Sequence, residues 1–337
     1  MRKLNLDDDL DPLSEVLGAV RFRSTIFCRS DMTAPWGFSV AGREIATFHF
    51  VERGGCWLEV EDAAAKTRLR AGDLVLLPHG HPHLVRDTPR SPVTRLDDLL
   101  RAHPVREGAT LRFGGGGAPT TLICGGFVFD DRDALPFLSA LPPVVVVQEG
   151  GRAGSWLRLA RETIAGEIEA NRLGEGTILS RLSDLIFIEA ARSYFSDASG
   201  GPRGWFAALN DRHIGAAISL IHRESHGSWT VASIASAVGM SRSAFALRFS
   251  LLLGESPMRY LARRRIARAS SLLEAQELTI ARIAEKVGYE SDVAFSRAFK
   301  RHVGLSPADY RRARTWKKKA RDVERNSPAN RHNARSR

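Results

Sequence analysis

Two stretches near the end of this 337-residue chain repeat each other. Residues 231–260 read VASIASAVGMSRSAFALRFSLLLGESPMRY, and residues 280–310 read IARIAEKVGYESDVAFSRAFKRHVGLSPADY. Laid together, Ile234 meets Ile283, Val238 meets Val287 and Gly239 meets Gly288. One inserted residue in the second turn then aligns Phe245 with Phe295, Phe249 with Phe299 and Pro257 with Pro307. Self-similarity of this kind marks one supersecondary unit used twice. This region has to fold as two copies of one small helical device.

In the first copy Thr230 is placed to cap a helix whose apolar positions Val231, Ile234, Ala235 and Val238 recur at helical spacing. Gly239 follows at a position that requires positive φ, which glycine adopts without a steric penalty. Ser241 caps a second helix, with Phe245, Phe249 and Leu252 on its buried face. The second copy repeats the plan with Thr279 as cap, Ile280, Ile283, Ala284 and Val287 as stripe, Gly288 as stop and Ser291 as the next cap. Both copies close on Gly-x-Ser-Pro, at Gly254 to Pro257 and at Gly304 to Pro307. Glycine ends one helix, serine opens the next, and proline sits at its first position with φ already set. Ser306 and Asp309 add a capping-box-like pair. The helix begun at Pro257 is expected to reach about Ala275.

Two short helices joined by a tight glycine turn are the unit that places its second helix in a DNA major groove. The spacer helix would measure about 27 Å, close to the ~34 Å of one duplex turn. It could therefore hold two recognition helices in successive major grooves. Charge points the same way. The chain carries +11 overall, but residues 211–337 hold 25 Lys and Arg against 11 Asp and Glu, leaving the rest at about −3. The positive charge lies with the repeat, where it would neutralise phosphates. Double-stranded DNA is the expected partner. The competing readings are a merely solvated basic face and a binder without sequence preference.

At these residues, over about 212–312, the chain resembles the AraC/XylS family of bacterial transcription regulators. The second copy lies closest to the family pattern, through Gly288, Tyr289, Ala294, Phe295, Phe299, Lys300 and Gly304 to Pro307. The resemblance implies a sequence-specific regulator, a homodimer, and RNA polymerase as a partner if the protein is an activator. Where that family usually carries Arg or another polar residue, this chain has Leu247; the second copy keeps Arg297. Candidate DNA contacts are Ser241, Arg242, Ser243, Ala246 and Leu247 in the first copy, and Ser291, Asp292, Ser296 and Arg297 in the second. Arg242, Ser243, Ser296 and Arg297 are expected to face bases, since arginine pairs bidentately with guanine and serine bonds any base. Arg263, Arg264, Lys300 and Arg301 are expected on phosphates, which position without specifying.

Before the repeat the pattern changes to short strands. Residues 45–52 alternate, 56–60 favour β structure and 74–77 are apolar, with turns at Gly54, Gly55, Ala71 and Gly72. Residues 120–129 and 144–147 add further strands, which together point to a sandwich or barrel. Within it, residues 72–83 read GDLVLLPHGHPH. The spacing G-x5-P-x-G-x2-H resembles the second conserved motif of cupins, small jelly-roll β-barrels. A turn enters an apolar strand, Pro78 ends its pairing, and Gly80 lets the chain fold His83 back toward the barrel mouth. Phe48-His49-Phe50, Gly55-Cys56-Trp57-Leu58, Cys124-Gly125-Gly126-Phe127 and Leu141-Pro142 resemble the cupin-type sensor at the front of one AraC subgroup. The fold class is thus α+β and multidomain: a cupin-like barrel, a helical linker, and an all-α domain with two helix-turn-helix units.

The barrel is expected to admit a small-molecule effector, with His49, Trp57, His83, Cys124 and Phe127 as candidate contacts. Catalysis is not expected: cupin enzymes commonly pair two histidines across one residue, and here His49 is followed by Val51. No cofactor is expected. The alternative is a divalent metal on His49, His81 and His83, because imidazole suits zinc or copper, which would make the domain a metal-dependent enzyme or a metal sensor. A redox sensor is a further alternative, although Cys56 and Cys124 sit in apolar strands where inert thiols are usual. The cysteines Cys28, Cys56 and Cys124 give no disulfide framework. No apolar run approaches a membrane span and the acidic start is unlike a signal, so a cytoplasmic location is expected and membrane association is not.

Residues 155–171 and 177–195 read as two amphipathic helices. The apolar surface of the second, Ile178, Leu182, Leu185, Ile186 and Ile188 to Ala190, serves either packing on the barrel or, preferentially, a dimer interface. The expected division is a sensor over 1–143, a helical dimerisation linker over 144–204, a DNA-binding domain over 205–312 opened by a helix from Asp211, and a basic disordered tail over 313–337.

Overall fold

The computed structural model describes residues 11–17, 22–43, 45–61, 66–104, 110–129, 136–151, 154–170, 172–197 and 204–313. The chain divides into two units, one of Val20–Pro202 and one of Met1–Ala19 with Arg203–Arg337. The first helix, α1 (Pro12–Leu17), belongs to the second unit. The other unit contains β1 (Phe22–Thr33), β2 (Gly37–Val40), β3 (Ala46–Arg53), β4 (Gly55–Val60), β5 (Thr67–Arg70), β6 (Leu74–Leu77), β7 (His83–Arg86) and β8 (Thr94–Arg95). It continues with α2 (Leu96–Ala102), β9 (Thr110–Gly114), β10 (Pro119–Phe129), α3 (Pro136–Ala140), β11 (Val145–Val147), α4 (Gly154–Ala170) and α5 (Glu175–Asp197).

These strands form a six-stranded sheet ordered β11-β6-β3-β10-β1-β9 and a five-stranded sheet ordered β5-β4-β7-β2-β8. The two sheets share one core, and the barrel they outline is open rather than closed by hydrogen bonds. Alternation builds it: Cys56, Leu58 and Val60 of β4 point inward, and their neighbours Trp57 and Glu59 do not. Opposite them lie Met32, Val51, Val75, Leu77 and Leu122 of the larger sheet. β6 is buried along its whole length, because α5 covers the outer face of that sheet.

Phe187 of α5 anchors the cover. Its ring centroid lies 5.2 Å from Phe22, 5.2 Å from Phe127 and 5.3 Å from Phe129. Ser24 of β1 donates to Asp184 Oδ1 at 2.6 Å, a buried hydroxyl answered by the same helix. Most of the apolar surface of α5 is thereby spent on the sheet, with Leu179, Ile186, Phe187, Ala190 and Ala191 buried; Ile178 and Leu185 stay exposed.

Two expected boundaries shift. β11 pairs with β6, so the sheet runs past residue 143 into the segment expected to be linker. At the other end α1 buries Val16 and packs on the helix at Arg212–Arg223, which places it in the helical unit and not in the sensor. Within the expected linker, residues 198–203 lie outside the described residues, as does the tail from 314.

The second unit continues with α6 (Trp205–Asn210), α7 (Arg212–Arg223), α8 (Val231–Ala237), α9 (Arg242–Leu253), α10 (Pro257–Ala275), α11 (Ile280–Lys286) and α12 (Asp292–Val303), and ends in α13 (residues 307–313). The caps fall where the sequence places them. Thr230 makes a capping box with Ser233, and Thr279 accepts from Arg282 N. Gly254 and Gly304 close α9 and α12 in the left-handed conformation. Gly288 has φ +84°, and a Cβ there would lie 2.4 Å from His226 O, so positive φ and close approach both require glycine. The repeat extends to the aromatic packing: Phe245 to Phe249 is 5.4 Å and Phe295 to Phe299 is 5.6 Å. Phe249 to Tyr260 is 5.6 Å and Phe299 to Tyr310 is 5.4 Å.

Removing the Phe187 ring tests the cover helix. Phe187→Ala should cost about 3–5 kcal/mol, read as a lower urea midpoint for the β-rich unit. An unchanged midpoint would mean that α5 is not part of that unit's core.

Candidate nucleic-acid interface and sensor cavity

Each recognition helix starts on a serine cap. Ser241 Oγ accepts from Ala244 N at 3.3 Å, and Ser291 Oγ accepts from Ala294 N at 3.1 Å. These two hydroxyls are engaged by their own helices. Beyond the cap, α12 exposes Asp292, Val293, Arg297, Lys300 and Arg301, with Ser296 half-buried beside them. Asp292 lies in the first turn, where a carboxylate complements the helix dipole. Arg297, Lys300 and Arg301 make none of the ion pairs found among the described residues and remain open to an anion.

The first helix is different. α9 exposes Arg242, Ser243, Leu247, Arg248 and Leu251, with Ala246 half-buried. Arg248 is taken by Asp211, whose carboxylate it meets at 2.6 Å through Nε while Asp211 also caps α7 through His213 N and Ile214 N. In the register of the repeat, Leu247 occupies the place of Arg297 and Leu251 that of Arg301.

Two expected phosphate contacts are corrected. Arg263 lies over the Tyr260 ring at 5.1 Å and pairs with Glu255, its side chain only 20% exposed. Arg264 is half-buried, its Nε has no hydrogen-bond partner among the described residues, and burial lowers its pKa. Both stand on the side of α10 that packs inside the domain. Arg265, one position on, donates to Ser225 O and Gly227 O at 2.7 Å each and lies over Tyr289.

In the β-rich unit a cavity of 260 Å³ opens between the two sheets. His49, His83 and Cys124 line it, together with Phe27, Cys28, Ser30, Phe38, Val40, Arg43, Thr47, Leu96, Leu100, Leu111 and Gly125. Gly80 has φ +68° and sits against Arg43 O, and this turn returns the chain so that His83 reaches the interior. His83 Nδ1 lies 2.9 Å from His81 O and must donate to that carbonyl. Neutral His83 therefore accepts at Nε2 from His49 Nε2, 2.8 Å away. His49 Nδ1 is then an acceptor, 3.1 Å from Cys124 Sγ. Burial holds His49 well below its ordinary value of 6.5, helped by His83, and burial also lowers His83. The histidine pair in the cavity floor is uncharged at neutral pH.

Cys124 keeps its proton. The facing Cys28 thiol and burial raise it well above 9.0. The Cys124 thiol opposite, with the Ser30 hydroxyl, brings Cys28 down to about 7 against the opposing effect of burial. Burial pushes Cys56 up to about 12.

Three expectations fail here. Trp57 lies on the outward side of β4 with Arg68 above its ring at 5.7 Å, away from the cavity. Phe127 is buried on the opposite face of β10, against Phe22, Phe48 and Phe187. His81 offers its backbone carbonyl to His83 while its ring stands edge-on to His79 at 5.6 Å, so His49, His81 and His83 do not converge. His49 in turn presents opposite ring edges to His83 and Cys124, which no single metal ion can share. Among the described residues no group of three His, Cys, Asp or Glu is placed to hold a metal.

Sequence reading missed Cys28, Phe38, Leu96 and Leu100. A register shift between Ile26 and Cys28 turns Cys28 to the inner face, opposite Cys124, and no local pattern announces it. Leu96 and Leu100 share one side of α2 at i, i+4 spacing, a signal that was there to be found.

Comparison with known proteins fits this geometry. A cupin family profile matches residues 11–196, and a helix-turn-helix domain profile matches residues 234–313. An AraC-like transcription regulator of Streptomyces lividans is 33% identical, covering 90% of this chain and 98% of its own length. The HTH-type transcriptional regulator AlkR of Acinetobacter baylyi is 28% identical, covering 90% of this chain and 99% of its own. Among solved structures, the DNA-binding domain of the global transcriptional factor AdpA in complex with a target DNA is 32% identical over 29% of this chain and 89% of its own, with a TM-score of 0.29.

The neutral histidine pair predicts a pH dependence. Unfolded histidines take up protons below about pH 6.5, whereas the buried pair resists until lower pH, so stability is lost as pH falls through that window. Each histidine contributes at most about 1.4 kcal/mol per pH unit. Urea unfolding between pH 8 and 5 should show this slope, and a His49→Gln/His83→Gln variant should show less of it. An unchanged slope in the variant would place the uptake elsewhere, for example on His222, which burial holds at about 3.

Proposed function

The chain belongs to the AraC-like transcription regulators with an N-terminal cupin domain, and from that premise we propose how its two units divide the work. It is a DNA-binding transcription regulator. Our reading is that α9 and α12 enter successive major grooves, spaced by α10. The observation that carries it is the open cation row of α12 on a helix capped at Ser291. In this reading Arg297 pairs with guanine, Ser296 supports it, and Lys300 and Arg301 hold phosphates. Arg242 and Ser243 are the polar readers of α9.

The 260 Å³ cavity is read as the effector site. Its apolar walls and neutral histidine pair suit a small, mainly apolar molecule with one hydrogen-bonding head, bigger than the benzene that fills a cavity of about 150 Å³. The effector meets His49, His83 and Cys124, and the domain is no enzyme. Transcription regulators that align over 98% and 99% of their own length support this reading. Ile178 and Leu185, exposed on α5, are the surface on which we place a homodimer contact. RNA polymerase is the further partner if the protein activates. No helix among the described residues is long and apolar enough to cross a membrane, and a role on DNA supports a cytoplasmic location.

Arg297→Ala tests the DNA reading. It should weaken the selected site by about 1–3 kcal/mol and relax base preference at one position. Equal weakening on every sequence would reduce Arg297 to a phosphate contact.

One observation favours a second reading, in which the cavity senses oxidants: Cys28 and Cys124 are register partners, and Cys28 has the lowered pKa. Two thiols and one hydrogen peroxide would give a disulfide and two waters. Alkylation under denaturing conditions should then count one free thiol in the oxidised protein. Three free thiols after oxidation would dismiss this reading.

A further inference from the structure

The two recognition helices are superposable in plan and opposite in chemistry. Phe245 and Phe249 match Phe295 and Phe299 on the buried side, which fixes the rotation of each helix about its axis. The solvent sides are therefore comparable residue by residue. Where α12 offers Arg297 and Arg301, α9 offers Leu247 and Leu251, 65% and 74% exposed. These leucines lie four apart on one face, one turn beyond Arg242 and Ser243. Arg248, the other cation of that region, is held by Asp211. A leucine left in water contributes nothing to the fold, and α9 has ample apolar surface for its core in Phe245 and Phe249.

Base edges in the major groove offer one apolar group, the 5-methyl of thymine, and an aliphatic side chain recognises it by contact. We propose that Leu247 is a specificity-determining residue that reads thymine methyl groups, so that the half-site under α9 is selected for thymine while the half-site under α12 is selected for guanine. This rests on the reading that both helices enter the major groove. Leu251, a turn further along, packs against the same groove wall. Ser243 is short enough to let the helix approach closely.

The test replaces thymine with deoxyuridine, which deletes only the methyl. A site is first selected from random DNA with the full chain and footprinted. The block where Arg297→Ala relaxes preference is assigned to α12, and the other protected block to α9. In the α9 block each critical thymine-to-uracil change should lower affinity about four-fold, the factor that burying one methylene-sized group supplies. The same changes should be silent for Leu247→Ala, which already lacks the contact. Leu247→Arg should lose the thymine preference and steepen the salt dependence by about one counterion. Leu247 is exposed, so these variants keep the fold. Protection of the α9 block with no response to uracil would overturn the thymine reading alone, and would leave Leu247 and Leu251 as a contact for another protein. No selected sequence at all would instead overturn the groove reading on which it rests.

Discussion

One helix completes two cores. Tyr260 and Leu261, near the start of α10, are buried with Phe249 of the first helix-turn-helix, while Ile266, Ala269 and Leu273 belong to the core of the second. Close-packed interiors resist sliding, so each end of α10 is pinned in rotation and register by a different set of side chains. The spacing of α9 from α12 is then the length of one rod of about 27 Å. This is why Arg263, Arg264 and Arg265 of α10 are spent inside the domain. Arg265 ties the rod to the turn at Ser225 and Gly227, and Gly288 is required because the second unit's turn comes against that same loop. A helix that reads as a basic stripe is, in the structure, a strut.

The helical half was legible because its signals are local. Thr230, Thr279, Ser241 and Ser291 cap within three residues of where they stand, and the glycine stops act on their own φ. What could not be read was the use of charge. Arg248 meets Asp211 across 37 positions, and Arg263 and Arg264 turn inward through a rotation that no spacing of charges declares. In the β-rich half, β3, β4 and β6 stood out by alternation or by an apolar run. β1 did not, because its buried positions include Ser24 and Ser30 and a bulge changes its inward face halfway along. Trp57 and Phe127 were assigned to the cavity by chemical type, and strand parity sends both elsewhere.

The cavity shows how a buried polar cluster is made tolerable. A chain of hydrogen bonds runs from His81 O through both rings to Cys124, and it closes only if both histidines are neutral. Such a fully satisfied network is rigid and carries no net charge. Arg43, the one Lys or Arg among the described residues lining the space, is 43% exposed in its side chain and already meets Asp97 at 3.1 Å. A small anion therefore gains little there, and a proposed effector would be selected by shape, apolar area and a single hydrogen-bonding head.

Dividing polar and apolar recognition between two rigidly spaced helices has a physical consequence. Cations act at a distance of about a Debye length, so in the proposed reading Lys300 and Arg301 would govern encounter and nonspecific hold, and salt would weaken them. Leu247 and Leu251 act only at van der Waals contact and are not screened. A chain with arginines on both helices would bind many sequences tightly at low salt and lose them together as salt rises. In the proposed reading the two contributions separate. As ionic strength increases, affinity would fall mainly through α12 while discrimination at α9 would persist, so the ratio between a true site and a near miss would depend on fit along the whole α9–α10–α12 frame rather than on charge alone.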